Sequence, residues 1–449
     1  MSALTPTLYL PVEEANRELN SKILVGISAI KRGMAVVIGQ QWLLVNNHAF
    51  IPRGVILLKG LNARQANAMR HLKQSGHLIA ANDEEAMGLA DQEYIARDIA
   101  PEIHEYCDLY LSQGPIHAEI IKRRTGAPDQ RVAVVGNPRL DLLRDPFRAA
   151  YVKAGNANRE RYGDYVLVNT NHGCFNTAWG SREAYLDVQV RIGWIDRNKP
   201  EDMELFERHI IDDEANFQVN LDTVKLLRKT RPNTSVIIRP HQAERLDTWK
   251  ELFADDPGVK VLREGSHLGW MLGAKIMLNT GCTTGLEAAV VRSPVLNVLP
   301  ESGKALLQNS FLSNHVNVTA IGATEAARVV QEVVDGNSGI LEEGALGRAA
   351  LLREHYAGIE GPYSHEGFAE AIDALLRTHD CDRDEFVWNP TKPAEYLSDL
   401  NRTGYQREKI TLSFDRFREI WNQLAAIIGD APEVRFRHAG ESLFLVERA

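Results

Sequence analysis

The sequence has 449 residues, of which 44% are hydrophobic and 25% charged, and its formal net charge is −9. This length is typical of two domains, and the negative charge argues against a general affinity for nucleic acid or anionic membrane. The four cysteines are far apart and form no CxxC pair, which indicates reduced thiols and neither a disulfide framework nor a zinc site. No signal peptide or membrane span is predicted, so we expect a cytoplasmic protein.

Apolar runs that end in polar turn residues predict a series of strands in the first third of the chain. The predicted strands cover 8–11, 34–38, 54–58, 77–81, 108–112 and 132–135, and a helix is predicted from 13 to 32. Strands that alternate with helices at this spacing predict a parallel, doubly wound sheet. We place this N-terminal Rossmann-like domain at 1–144 and an interdomain linker in the polar, Arg-rich stretch 145–162.

A second α/β series follows the linker. Its predicted strands cover 165–170, 236–241, 259–262, 276–278 and 294–299. The long, weakly patterned segment 172–220 is a functional candidate, because long loops within a domain are often functional. We place the second Rossmann-like domain at 163–379. The remaining segment, 380–449, contains a predicted amphipathic helix near 413–428 and a strand near 442–446, and it is predicted to pack back on the domains as a brace.

A Gly/Thr-rich loop lies between a predicted strand and a predicted helix in the second series. It consists of Asn279, Thr280, Gly281, Cys282, Thr283 and Thr284, and Glu287 follows in the first helical turn. Such a loop presents backbone N–H groups and a positive helix end to an anion, while Glu287 could bridge the two hydroxyls of a ribose. The alternative is an ordinary strand–turn–helix in which Thr283 or Thr284 caps the helix and Glu287 completes a capping box.

Three consecutive carboxylates, Asp83, Glu84 and Glu85, follow the predicted strand 77–81. Crowded carboxylates cannot all ionise freely, so one of them is a candidate general acid or base. The alternative is a solvated acidic helix start.

Arg239 and His241 leave the predicted strand 236–241, with Glu244 just beyond. Two cations at a strand end favour a phosphodiester or pyrophosphate. Alternatively, Arg239 pairs with a buried acid and His241 is an ordinary loop histidine.

Ligands of open parallel sheets bind beyond the carboxyl ends of the strands. Polar residues gather at those ends in both series, which predicts a cleft between two facing sheets. The further candidates for this cleft are Glu14, Arg17, Gln40, Lys59, Asn137, Arg139, Asn169, Asn171 and Ser364.

With these residues, the chain resembles the bacterial surface carbohydrate biosynthesis protein family, which is related to retaining Kdo transferases of GT-B architecture. The resemblance covers about residues 6–376. It is carried by 9–19 (YLPVEEANREL), 33–39, 53–55 with Lys59, 76–85 (GHLIAANDEE), 135–143 (VGNPRLDLL), 168–171 (VNTN), 238–241 (IRPH) with Glu244, 279–288 (NTGCTTGLEA) and 361–364 (GPYS).

The resemblance implies a GT-B glycosyltransferase that uses a nucleotide-activated sugar, such as CMP-Kdo or another CMP-linked ulosonic acid, in surface polysaccharide biosynthesis. Related CMP-sugar enzymes use an acid-acid-Gly motif for the acceptor and a His-Pro motif for the CMP phosphate. This chain differs from both, because its acids are followed by extra residues before Gly88 and Gln242 follows His241. A retaining reaction also requires a carboxylate nucleophile, for which 83–85 and the segment 172–220 remain open.

The expected partners are the nucleotide sugar and a glycan or glycolipid acceptor, with peripheral contact to a membrane-associated assembly complex and no nucleic acid. We expect no cofactor and no metal, since Arg and His residues would neutralise the leaving phosphate. Two enzymatic alternatives remain, a CDP-polyol phosphotransferase and a UDP-sugar 2-epimerase. An alternative of another class is a catalytically silent GT-B scaffold of a polysaccharide assembly complex.

Overall fold

The computed structural model describes residues 5–191, 193–301, 310–342, 344–379, 412–440 and 442–449. Its internal contacts divide the chain into two compact units. Unit 1 contains Met1–Met87, Gln92–Phe147 and Arg353–Ala449, and unit 2 contains Gly88–Asp91 and Arg148–Leu352. Each unit is built around its own β-sheet.

The strands follow one another along the described chain with helices between most of them. They are β1 (Thr7–Val12), β2 (Ala35–Gln40), β3 (Gly54–Leu58), β4 (Leu78–Ala81), β5 (Leu109–Ser112), β6 (Val132–Val134), β7 (Tyr165–Asn169), β8 (Ser235–Arg239), β9 (Val259–Val261), β10 (Ile276–Asn279), β11 (Val295–Leu299), β12 (Val318–Ile321), β13 (Val434–Gly440) and β14 (Leu443–Arg448).

The α-helices of the described residues include short connecting turns and one helix of 31 residues. They are α1 (Ala15–Lys31), α2 (Gln41–Asn46), α3 (Ala63–Gln74), α4 (Gln92–Asp98), α5 (Pro115–Thr125), α6 (Pro138–Asp141), α7 (Arg148–Tyr162), α8 (Arg182–Arg191), α9 (Pro200–Thr230), α10 (Leu246–Leu252), α11 (His267–Gly273), α12 (Thr283–Val291), α13 (Ser313–Val316), α14 (Gly322–Val334), α15 (Ala345–His355), α16 (Ser364–Thr378) and α17 (Phe414–Ile428).

The sheet of unit 1 has the strand order β13-β14-β2-β1-β3-β4-β5-β6. The six strands from β2 to β6 are parallel, and β14 joins β2 in the antiparallel direction. Strands β2, β3 and β4 are buried at every position. Their near-continuous apolar sequences fit this burial, since a parallel sheet is covered on both faces.

The sheet of unit 2 has the strand order β12-β11-β10-β7-β8-β9, and all its pairings are parallel. Counted from β7, this is the 3-2-1-4-5-6 order of a Rossmann fold. A hydrophobic core that includes Val166, Ile238, Leu278 and Trp249 packs between the sheet and its helices. The predicted α/β class, with two parallel-sheet units, is therefore confirmed.

The course of the chain through the units differs from the sequence interpretation in three places, the shortest being Gly88–Asp91, which was predicted in the first domain and belongs to unit 2. The stretch 145–162, predicted as a linker, is mostly helix α7, which belongs to unit 2 and packs against α11. Unit 1 also resumes at Arg353, so 353–379 lies in unit 1 and not in the second domain. Gly155 shows how close the α7–α11 contact is, because a Cβ there would lie 2.8 Å from the backbone N of Gly273.

The segment 172–220 is largely helical and not a long loop. It contains α8 and most of α9, whose buried residues include Phe206, Ile210 and Phe217. Frequent acidic residues between these apolar positions weaken the helical pattern in the sequence. A small cluster of Leu186, Ile195, Phe206 and Ile210 joins α8 to the first half of α9.

The C-terminal helix and strand were predicted correctly as α17 and β14, whereas β12 and β13 were missed. Both missed strands lie at a sheet edge and are only partly buried, so they lack the apolar run of a central strand. In the described residues, 412–449 extends the sheet of unit 1. The predicted brace over 380–411 lies outside the described residues. No helix in the described part of the chain is long and apolar enough to cross a membrane.

Candidate functional site

Each sheet has one point where the strand order reverses, and ligands of open α/β sheets bind there, beyond the carboxyl ends of the strands. In unit 1 the reversal lies between β1 and β3, and in unit 2 between β7 and β10. We call the residues that follow the carboxyl ends of β1–β5 the first-sheet edge, and those that follow β7, β8 and β10 the second-sheet edge. The predicted site residues fall into these two groups.

The Gly/Thr-rich loop of the second-sheet edge is held in place by its own side chains. The Nδ2 of Asn279 donates to Asn297 Oδ1 at 3.0 Å, and the Oγ1 of Thr284 donates to Asn279 Oδ1 at 3.2 Å. The Oγ1 of Thr280 donates to the carbonyl of Val298 at 3.2 Å. Since these side chains already form hydrogen bonds within the protein, an anion at this loop would be bound by backbone N–H groups.

The turn and the helix start complete this loop. Gly281 has a φ of +55°, and a Cβ there would lie 2.7 Å from the Phe311 ring. Cys282 is the N-cap residue of α12 and makes no side-chain cap, so the first-turn N–H groups depend on other partners. The capping role considered for Thr283, Thr284 and Glu287 is therefore wrong, because the helix begins at Thr283 and Glu287 is its fifth residue.

Glu287 is 2% exposed, and its carboxylate faces a histidine from the preceding helix. The Nε2 of His267, the first residue of α11, donates to Glu287 Oε2 at 2.6 Å. The His267 side chain keeps 27% of its surface exposed. This pair fixes the direction of one carboxylate one helical turn beyond the start of α12.

Arg239 is directed toward backbone carbonyls and an indole ring. Its guanidinium donates to the carbonyls of Glu264, at 2.6 Å, and Gly265, at 3.2 Å, and lies 5.6 Å from the centre of the Trp270 ring. Burial lowers the pKa of Arg239 to about 10, so the group stays charged at neutral pH. His241 is exposed, and its Nδ1 accepts from the N–H of Ala243 at 3.2 Å.

Glu244 is buried in a network within unit 2. Its carboxylate accepts from Thr170 Oγ1, from Trp249 Nε1 at 2.9 Å and from the N–H of His241 at 2.9 Å. Burial alone would raise the pKa of Glu244, but His172 and the hydrogen bonds from Thr170 and Trp249 outweigh it and hold the pKa below its usual value. Because its carboxylate accepts these three hydrogen bonds within unit 2, Glu244 stabilises the loop after β8.

The end of β7 is joined to the Gly/Thr-rich loop through His172. Asp213 lies 3.3 Å from His172 Nδ1, and Asn220 donates both to His172 Nε2 and to Thr280 Oγ1. Burial lowers the pKa of His172, but the bond to Asp213 and the charge of Glu244 outweigh it, so the net shift is upward. Of the predicted residues here, Asn169 donates to the Met277 sulfur at 3.2 Å and Asn171 is exposed.

The first-sheet edge contains a lysine between two carboxylates at the reversal of strand order. The Nζ of Lys59, which follows β3, lies 2.6 Å from Glu13 Oε2 and 2.9 Å from Glu18 Oε1. Burial would lower the pKa of Lys59, but Glu18 and Glu13 outweigh it and raise the pKa. Glu14 precedes α1 and accepts the first backbone bonds of that helix from Arg17 and Glu18.

The three predicted carboxylates lie in different surroundings. Glu84 is buried and lies 3.9 Å from the buried Lys22 ammonium. Burial would raise the pKa of Glu84, but Lys22, Arg139 and Arg17 outweigh it and hold the pKa below its usual value. Glu85 is exposed as a residue, yet desolvation of its carboxyl group by the protein around it raises its pKa against the charges of Lys59 and Arg17.

Asp83 is 2% exposed and faces a histidine. Its Oδ2 lies 3.8 Å from His117 Nε2. The Nδ1 of His117 accepts from the N–H of Gln113 at 3.3 Å, which places the proton of a neutral His117 on Nε2. The imidazole N–H is therefore on the side of Asp83, a suitable arrangement for a carboxylate that receives a proton from a bound hydroxyl.

The other predicted residues of unit 1 complete or surround this edge. Arg139 is buried, and its Nη1 contacts the Met87 sulfur at 3.2 Å. Asn137 contacts the same sulfur and caps α6 through the N–H of Arg139. Gln40 ends β2 and is fully buried. Ser364 begins α16 and its N–H donates to Asp141, which also binds His365, so Ser364 has a structural contact within unit 1.

Sequence reasoning missed His117 and His267. Both lie in the first turn of a helix that follows a strand, His117 in α5 and His267 in α11. First-turn positions face the carboxyl edge of a parallel sheet, so an inspection of the first turn after every strand would have found them. No group of three His, Cys, Asp or Glu residues suited to a metal occurs in the described ranges.

Comparisons with known proteins add only distant structural likenesses. No protein-family model matches the chain, and no curated protein gives a significant match. Among the similar solved structures are a UDP-GlcNAc 2-epimerase from Neisseria meningitidis bound to UDP-GlcNAc and one from Methanocaldococcus jannaschii in complex with UDP-GlcNAc and UDP, with TM-scores of 0.48 and 0.49 and identities of 12% and 11%. Each comparison covers 84% of this chain and 100% of the other.

A third similar structure is a variant of the wall teichoic acid polymerase TagF soaked with CDPG, with a TM-score of 0.48 and 9% identity. That comparison covers 83% of this chain and 89% of the polymerase chain. All three TM-scores lie below 0.5, so these likenesses decide nothing about activity. The function is therefore inferred from the residues of the two sheet edges.

Proposed function

We propose that this protein is a GT-B glycosyltransferase that transfers a sugar from a nucleotide-activated donor to an acceptor hydroxyl. The observation that carries this proposal is the buried Glu287 carboxylate, held by His267 one turn beyond the start of α12. A helix start favours a phosphate, and a fixed carboxylate accepts hydrogen bonds from two neighbouring hydroxyls. A phosphate beside a diol is the common part of a nucleotide.

The first-sheet edge supports the second half of the reaction. Asp83 is buried beside the Nε2 of His117, and Glu85 has a raised pKa. In the transfer, the acceptor oxygen bonds to the anomeric carbon, and the bond from that carbon to the donor phosphate oxygen breaks. The phosphate leaves with the electron pair, and the proton of the acceptor hydroxyl passes to a carboxylate, for which we favour Asp83.

Glu84 differs from its two neighbours. Its carboxylate stays ionised because Lys22, Arg139 and Arg17 stabilise its charge. An ion-paired carboxylate with a lowered pKa is a weak proton acceptor, so we assign Glu84 an electrostatic role. Within the class of donors, the resemblance of the sequence favours a CMP-linked ulosonic acid such as Kdo, and surface polysaccharide biosynthesis as the setting.

The proposal is tested by incubating the protein with CMP-Kdo, UDP-GlcNAc and CDP-glycerol, each with a mixture of acceptor oligosaccharides. We expect release of CMP from CMP-Kdo together with a glycosylated acceptor detected by mass spectrometry. An epimerase would convert UDP-GlcNAc without an acceptor, and a polyol phosphotransferase would release CMP from CDP-glycerol. A silent scaffold would release no nucleotide and gain no thermal stability from any donor.

The matched control for this assay is Glu287→Gln, which keeps the size of the side chain and removes its charge. Turnover should fall while the melting temperature stays close to that of the wild type. If Glu287→Gln turns over CMP-Kdo at the wild-type rate, the donor site proposed here is wrong.

A further inference from the structure

Three polar side chains near the end of β4 are buried without full hydrogen bonding. Both side-chain polar atoms of Asn82, the Oδ1 of Asp83 and the Nε2 of His117 have no hydrogen-bond partner among the described residues. Asn82 is 1% exposed, Asp83 2% and His117 6%. An unpaired buried polar group costs free energy, so a cluster of them in one place needs an explanation.

The chain topology places these three residues beyond the carboxyl ends of two neighbouring strands. Asn82 and Asp83 directly follow β4, and His117 lies in the first turn of the helix after β5. Strands β4 and β5 are parallel neighbours in the sheet of unit 1. Together the three side chains offer an amide that donates and accepts, a carboxylate oxygen that accepts and an imidazole N–H that donates. This set matches the hydroxyl groups of a sugar, each of which both donates and accepts.

The charges around this cluster argue against an anionic ligand. The cations Lys59 and Lys22 already face carboxylates, Lys59 between Glu13 and Glu18 and Lys22 beside Glu84. Residues 13–22, Lys59, residues 83–85 and Arg139 together carry six carboxylates and four cationic side chains: Glu13, Glu14, Glu18, Asp83, Glu84 and Glu85 against Arg17, Lys22, Lys59 and Arg139.

A neighbouring carboxyl group responds to this excess of negative charge. The pKa of Asp98, in α4, is raised to about 6, first by burial and then by the charges of Asp83 and Glu85. A phosphate or carboxylate placed beside Asp83 would meet the same repulsion. An uncharged ring would meet none and would still supply the missing hydrogen bonds.

We propose that Asn82, Asp83 and His117 form the acceptor subsite and that this subsite selects an uncharged, hydroxyl-bearing glycosyl unit over an anionic one. Asn82 and His117 orient the acceptor hydroxyl toward Asp83, so both are positioning residues. This inference rests on the proposed function, which supplies the acceptor. It adds the chemical class of that acceptor and two residues, Asn82 and His117, that recognise it.

The test measures the binding of free saccharides without any nucleotide. The probes are methyl glucoside, methyl galactoside and methyl N-acetylglucosaminide as neutral ligands, with glucuronate and glucose 6-phosphate as anionic ligands. Saturation-transfer NMR and calorimetry should give at least one neutral probe an affinity at least about tenfold above that of either anion. Equal or tighter binding of the anions, or no binding of any neutral probe, overturns the proposal.

Asn82→Leu tests the positioning role, because leucine has a similar shape and no polar atoms. Removal of an unpaired buried amide leaves the melting temperature unchanged or raises it, whereas the affinity for the neutral probe should fall at least about tenfold. Unchanged saccharide binding contradicts the proposal. If this variant does not fold, Asp83→Asn decides, because it removes the repelling charge. Its glucuronate affinity must rise relative to that for methyl glucoside, and an unchanged ratio contradicts the proposal.

His77→Gln is the matched control. His77 is also buried, and its Nδ1 has no partner in the described ranges. It precedes β4, five residues before Asn82, a separation of about 17 Å along the strand, which is too far for one sugar ring to contact both. Its removal should leave monosaccharide binding unchanged. Because the assay needs no donor, it can fail while the nucleotide site in unit 2 is intact, and the reverse also holds.

Discussion

The two sheet edges differ in how the hydrogen bonds of their polar side chains are satisfied. At the second-sheet edge, polar side chains form hydrogen bonds with one another or with the backbone. Asn279, Thr280 and Thr284 stabilise the loop after β10 in this way, and Glu244 accepts hydrogen bonds at the turn after β8. At the first-sheet edge, buried polar atoms of Asn82 and Asp83 lack partners in the part of the chain that the structure describes. This difference supports the two proposed roles: backbone N–H groups that bind an anion in unit 2, and side chains that bind a hydroxyl-bearing ligand in unit 1.

The largest effect is expected from Glu244→Ala, which leaves Thr170, the Trp249 indole and the His241 N–H without their shared acceptor. Loss of a buried, charged hydrogen-bond centre costs about 3–5 kcal/mol. Urea unfolding followed by circular dichroism measures this loss, and the exposed Glu214→Ala on α9 is the control. A small loss of stability combined with a large loss of nucleotide affinity would instead make Glu244 a ligand-binding residue.

Glu84→Gln tests the electrostatic contrast among the three carboxylates of the first-sheet edge. Because the pKa of Glu84 is lowered in the folded protein, its ionised form stabilises the fold above the unfolded value of 4.5, and this stabilisation is lost as the pH falls through the folded pKa. We expect a loss of about 1–3 kcal/mol at pH 7, which shrinks in acid. Urea unfolding at several pH values gives the profile.

The neighbouring variant Glu85→Gln should show the opposite pH dependence of stability. The pKa of Glu85 is raised, so its stabilising effect is present below the unfolded value and is lost as the pH rises through the folded pKa. At pH 7 this variant should be as stable as the wild type or slightly more stable. Equal losses in Glu84→Gln and Glu85→Gln would contradict the separate roles assigned to them.

The sequence predicted the central strands well because buried parallel strands are continuous apolar runs, as in β3 and β7. It also predicted which residues follow the strand ends. It did not predict which direction those side chains take, and Arg239 is the example, since two carbonyls and the Trp270 ring bind a guanidinium that the sequence suggested for phosphate. Carbonyl partners from a distant loop leave no pattern in the sequence.

The helices of the segment 172–220 were also not predicted from the sequence. These helices pack on each other through Leu186, Phe206 and Ile210, with Ile195 from the connection between them, so acidic residues are tolerated between the apolar positions. Likewise, Asp213 is on α9 and binds His172, 41 residues away. Contacts of this range depend on the folded chain, and the local pattern gives no sign of them.

The smallest effect is expected from Asp98→Asn at the border of the first-sheet edge. The folded pKa of about 6 exceeds the ordinary 3.8, so stability is lost as the pH rises between these values. The variant should therefore melt slightly higher than the wild type at pH 7 and at the same temperature at pH 3. The surrounding protein desolvates the Asp98 carboxyl group only in part, because the residue keeps contact with solvent, so the gain is small. An equal difference at both pH values would mean that the ionisation of Asp98 is not its cause.

The central claim, a nucleotide site built around Glu287, is tested most directly by calorimetry of CMP and of inorganic phosphate with the wild type and Glu287→Gln. A hydrogen bond to a charged group is worth about 1.5–3 kcal/mol, so CMP affinity should fall by roughly one to two orders of magnitude. Phosphate affinity should stay unchanged, because only CMP carries the ribose diol. Unchanged CMP affinity in a folded Glu287→Gln protein would contradict the account.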